Sequence, residues 1–152
     1  MKKIVLSLFI LIVSLNCFCQ TCEEREPRIQ QAMVGFSSAL LYNTYGVIGS
    51  IADAYVKNAY NAEMVDQLMN AQKNLADNLV KVLDGLVKDN ILVTQMDKDY
   101  AVSAINILEG LKKQGGLLQE YAQTNSRQKQ EAYDDQRKKN WSVLSKLMGI
   151  KE

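Results

Sequence analysis

The stretch from Ile29 to Tyr60 limits the fold most. Ile29, Met33, Phe36, Leu40, Asn43, Val47, Ser50 and Ala54 recur at alternating steps of four and three. That spacing places them along one side of an α-helix. Val34, Leu41, Ile48 and Tyr55 form a second line at heptad spacing. Two adjacent lines make a face wider than a two-helix seam, so the spacing predicts a central helix touching at least two partners.

The same stretch is rich in small residues: Gly35, Gly46, Gly49, Ser50, Ala52 and Ala54. A glycine inside a helix costs about 0.5–1 kcal/mol relative to alanine. A compensating close approach of another helix is expected at Gly46–Ala54; the competing reading is a hinge or a ligand groove. Asn43 falls on the apolar line, where a polar residue fixes register at some cost in stability.

Three further helices follow. Asn61 is read as the N-cap of a helix over Ala62–Lys88, with Val65, Leu68, Gln72, Leu75, Leu79, Val82 and Leu86 as its buried line. Met64, Leu83 and Val87 widen that face. A hairpin of the first two helices brings Asn43 within about a turn of Gln72, which predicts a buried polar layer. Ile91, Leu92 and Val93 are expected to tuck a loop under the bundle end. Thr94, with Asp97 three residues on, opens the next helix in the manner of a capping box. That helix is read over 95–123, with Ala101, Ile105, Leu108, Leu111, Leu118 and Ala122 buried, Tyr100 and Tyr121 beside them, and a bend allowed at Gly115 and Gly116. Thr124 to Ser126 form a turn. The last helix, about 127–148, is polar along its first half, so docking is expected only late, through Trp141, Leu144, Leu147 and Met148.

The chain has 152 residues, 47% hydrophobic, with one proline and no alternating β-pattern. Its fold class is therefore all-α: an antiparallel up-and-down bundle of four helices, the last less firmly attached, after a cleaved signal peptide. Lys2 and Lys3 precede an apolar run from Ile4 to Leu15, shorter than the ~20 residues that span a bilayer. The pattern fits a secretory leader over 1–19, with Gln20 as the mature N-terminus and a single helical domain over 20–152. Lipidation at Cys17 or Cys19 is the competing reading; Asn16 and Phe18 stand where a small residue is usual. With those two cysteines removed, Cys22 is left without an internal disulfide partner.

Of 18 basic and 17 acidic residues, removal of Lys2 and Lys3 leaves a net charge of −1. No overall basic field is present to hold nucleic acid. From Ser126 onward seven basic residues stand against four acidic ones, an excess of +3. There is no histidine, so the commonest general base and the commonest metal ligand are missing. Asp97 with Asp99, and Asp134 with Asp135, do not share a helix face. No catalytic, metal or cofactor residue is therefore assigned.

The expected role is that of an exported, non-enzymatic protein, periplasmic or secreted, that binds another envelope or secreted protein; a homo-oligomer is compatible with the pattern. The residues assigned to partner binding are Tyr42, Tyr45 and Tyr55 on the first helix and Arg137, Lys138 and Lys139 on the last. The alternative is a carrier of a small apolar ligand held between helices, with room made by Gly46–Ala54, Gly115 and Gly116.

Overall fold

In the computed structural model the helices are α1 (Lys2–Val56), α2 (Ala62–Lys88), α3 (Gln95–Thr124) and α4 (Arg127–Leu147). The described residues are residue 28 and residues 30–150, and they contain no strand. The leader, the junction before Gln20, the three cysteines, the chain's one proline (Pro27) and Ile29 lie outside them. The chain divides into two units, Met1–Ser37 and Ser38–Glu152. No described helix is long and apolar enough to cross a membrane.

In the first unit Met33, Val34 and Phe36 are exposed, Phe36 at 78%. The expected buried line is therefore not covered there. The correction continues into the second unit, where Asn43 and Ser50 are also exposed. The face of α1 that is buried carries Leu41, Thr44, Ile48, Ile51 and Ala52. This is the second, heptad-spaced line widened by its i+3 neighbours. Thr44 joins it because its hydroxyl donates to the Leu40 carbonyl at 2.9 Å, so no polar hydrogen is left unpaired.

Local chemistry sets the corners of the bundle. The Asn61 side chain accepts from the Met64 N–H at 2.9 Å and caps α2. Thr94 caps α3 by accepting from the Asp97 N–H at 3.1 Å, while its hydroxyl donates to the Asp97 carboxylate at 2.6 Å. Asn58, Asn90 and Asn125 take left-handed backbone angles, with φ of 58°, 52° and 48°. Asparagine is one of the few side chains that tolerates that region, and one stands at each change of direction.

Contacts within the second unit give the directions of the helices. Tyr45 meets Trp141 and Gly49 meets Arg137, so α4 runs opposite to α1. Gln119 reaches Asp66 and Lys112 reaches Asp77, so α3 runs opposite to α2. Asn140 reaches Gly110 and Lys129 reaches Glu120, so α4 runs opposite to α3. Ser38 pairs with Tyr100 and Tyr55 with Ala122, which makes α1 and α3 the parallel diagonal of an up-and-down bundle.

The core is one cluster that draws Ile48 from α1, Val65, Met69 and Ala76 from α2, Leu108, Leu111 and Leu118 from α3, and Tyr133 and Leu144 from α4. Each large side chain hidden this fully stabilises the fold by roughly 1.5–3 kcal/mol. The α2 line is shifted from the expected one. Leu75, Val82 and Met64 are exposed, whereas Met69 and Ala76 are buried. The loop before α3 is not tucked in either: Ile91 is exposed and Val93 is 74% exposed. The buried line of α3 is as expected except that Ile105 is half-buried, and the helix runs unbroken through Gly115 and Gly116. A Cβ on Gly115 would stand 3.4 Å from the Met69 sulfur, so α2 passes close there. Gly46 faces open space, and no helix approaches it.

The largest correction concerns α4. Its polar first half is solvated on one side only: Arg127, Gln128, Glu131 and Asp135 are exposed, but Tyr133, Gln136 and Asn140 are buried, Tyr133 at 3% exposure. The Asn140 amide donates to Gln114 Oε1 at 2.8 Å and to the Gly110 carbonyl at 2.9 Å. Gln136 donates to Asn140 Oδ1 at 2.9 Å, and Gln114 donates more weakly to the Tyr133 hydroxyl at 3.5 Å. Among the described residues no buried side-chain nitrogen or oxygen lacks a partner. A polar face can be buried at little net cost when its members satisfy one another. The polar layer expected at Asn43 and Gln72 is not formed, since Asn43 is exposed; a different one lies between α3 and α4. A second one joins α2 to α3, where the Gln119 amide donates to Asp66 at 2.7 Å and Asn70 at 3.0 Å, and Lys73 donates back to Gln119 at 2.9 Å.

Candidate functional site: an aromatic and cationic cleft

The antiparallel register of α1 and α4 brings together two groups that stand almost a hundred residues apart in the chain. Tyr42 and Tyr45 project from α1 toward Trp141 on α4. Their ring centroids lie 6.4 and 5.7 Å from the indole, at tilts of 55° and 32°. One turn before Trp141, Arg137 comes down on α1 at Gly49, its Nη2 3.4 Å from where a Cβ would stand. The missing side chain lets the guanidinium lie against the helix. This is the close approach the small residues of α1 provide for, made by an arginine side chain and not by a second backbone.

Tyr45, Asp134, Arg137, Lys138 and Trp141 line a cleft of about 300 Å³ at this junction. Arg137 is half-buried. Its pKa lies above the ordinary arginine value, chiefly because the Tyr45 oxygen stands beside it, against a smaller opposing effect of burial. Among the described residues no carboxylate comes within ion-pair distance of Arg137. Lys138 stands on the rim, 3.8 Å from Asp135, both largely exposed. The site therefore has an aromatic wall, a guanidinium lying against α1, an outer ammonium and one lining carboxylate, Asp134, with the charge of Asp53 also acting on Arg137. It offers shape and charge for recognition but no nucleophile paired with a base.

Of the residues assigned from sequence, Tyr42, Tyr45, Arg137 and Lys138 meet here. Tyr55 does not. Its hydroxyl donates to the Ala122 carbonyl at 3.0 Å and its ring meets Tyr121 edge-on at 5.4 Å, which ties α1 to α3. Lys139 is exposed and does not line the cleft. Sequence reasoning placed Trp141 in the docked end of α4 and missed its role as a wall. The signal was its position one helical turn after Arg137.

The interior offers less. The hollow between α1, α2 and α3, bordered by Ile48, Lys73, Leu111 and Gly115, has no volume that a water molecule could enter. Comparison with known proteins found no matching protein family, no similar curated protein and no similar solved structure.

Proposed function

We propose that this chain is an exported, non-enzymatic helical-bundle protein that binds another envelope or secreted protein through the α1–α4 cleft. The observation that carries the reading is the convergence of Tyr42, Tyr45 and Trp141 with Arg137 and Lys138 on one surface. Aromatic residues and arginine dominate the energetics of protein interfaces because they present large contact area and fixed donors with little entropy to lose. The export part rests on the leader pattern of residues 1–19. It requires the mature protein to begin at Gln20, which N-terminal sequencing reads directly.

The binding part is tested with a photo-crosslinking amino acid at Lys138, in cells of the source organism. The expected result is one discrete adduct that the Trp141→Ala variant weakens. A central aromatic anchor is worth at least about 2 kcal/mol, so a loss near 30-fold in affinity is expected. Absence of any adduct at Lys138, or an adduct indifferent to Trp141, overturns the reading.

A further inference from the structure

We propose that the cleft takes an acidic side chain of a partner peptide, its carboxylate on Arg137 and a neighbouring apolar side chain on Trp141. This rests on the protein-binding reading above and specifies the chemistry of the partner.

Five observations lead to it. Arg137 has given up part of its water with no carboxylate in ion-pair reach, Asp53 favouring its charge only from farther off, and the Tyr45 oxygen can satisfy at most two of its five N–H donors. The guanidinium lies against Gly49 at the α1 surface, where its planar fork can take a carboxylate through two parallel hydrogen bonds. Arg137 and Lys138 against Asp134 leave the lining of the cleft one positive charge in excess, which favours an acidic segment. Asp134 on the wall repels phosphate, which brings nearly two charges, more than a single carboxylate, and it can accept a hydrogen bond from a peptide N–H. A volume of about 300 Å³ suits one side chain and part of its neighbour.

Trp141 is the single tryptophan of the chain and reports on the cleft. The full mature chain is titrated with the peptide acetyl-Ala-Leu-Glu-Phe-Glu-Leu-Ala-amide while Trp141 emission is followed. The same peptide with both glutamates replaced by glutamine, and inorganic phosphate, are the comparison probes. The glutamate peptide is expected to give a saturable change, at least tenfold weaker for the glutamine peptide and for Arg137→Gln, and weakened by salt. No saturation, equal response to both peptides, or phosphate acting at the same concentration overturns the proposal. The peptide comparison uses the unaltered protein, so it stands even if Arg137→Gln folds poorly, which circular dichroism shows. Self-association abolished by Arg137→Gln would place the carboxylate on a second copy and overturn the choice of a foreign peptide. An adduct at Lys138 that depends on Trp141, together with indifferent peptides, removes this inference and leaves the protein-binding reading intact.

Discussion

Gly110→Ala tests the α3–α4 junction most directly. A Cβ on Gly110 would collide with Asn140 Oδ1, and Asn140 cannot yield without breaking its bonds to the Gly110 carbonyl and Gln114. Overpacking of this kind costs about 1–3 kcal/mol. A buried amide left unpaired adds about 1–3 kcal/mol. Alanine returns about 0.5–1 kcal/mol through its better helix propensity. The net expectation is a loss of about 3 kcal/mol, or a fall in Tm of roughly 10 °C for a domain of this size. Gly116→Ala is the internal control. It lies six residues on in the same helix, and nothing stands within 4 Å of its added Cβ. There the propensity gain acts alone, and stability should rise by about 0.5–1 kcal/mol. Urea denaturation followed by circular dichroism reads both. Adding Asn140→Ala to Gly110→Ala removes the collision, so the double variant should lose about 1–2 kcal/mol less than the two single losses combined. A Gly110→Ala protein as stable as its parent, or one no worse than Gly116→Ala, would refute the packing described for α4.

Two further predictions concern protons. Burial raises the Tyr133 phenol above its ordinary value, and the Gln114 hydrogen bond only partly opposes it. A raised folded value means that the contribution to stability is complete below about pH 10 and is lost as the pH climbs through the folded value. Alkaline unfolding of Tyr133→Phe, followed by circular dichroism, should therefore show a shallower decline above pH 10, and an unchanged profile would contradict the burial. Asp77 is held below its ordinary value chiefly by a hydrogen bond from Lys112. Its contribution is present above the ordinary carboxylate pKa and is lost as the pH falls through the depressed folded value. Asp77→Asn should accordingly lower stability at neutral pH and flatten the acid limb below pH 4; equal acid limbs would show that the pair contributes nothing.

What could be read in advance was local. Asn61, Thr94 and the turn over 124–126 marked the helix ends because capping involves residues three or four apart, which a sequence displays side by side. The buried face of α1 was not legible in the same way. The stretch carries more apolar positions than its neighbours cover, and periodicity alone does not say which line wins. Met33 and Phe36 are exposed, whereas Thr44 is buried, its hydroxyl finding a carbonyl within its own helix. The polar half of α4 misled for the opposite reason. Gln136 and Asn140 look like solvent residues until Gln114 and Gly110 are placed opposite them. The candidate site shows the same division. Tyr42, Tyr45, Arg137 and Lys138 stood out by type, but their meeting depended on the register of α1 against α4, which nothing in either segment states.

The notch at Gly110 has a consequence beyond the interior. It admits Asn140 at one depth only, so α4 cannot creep along its groove by even a single turn without stranding that amide. Arg137 and Trp141 ride on the same rigid rod, three residues before and one after. A latch hidden inside the protein thus sets the height at which the outward groups meet α1, and loosening it should blur a surface it never touches.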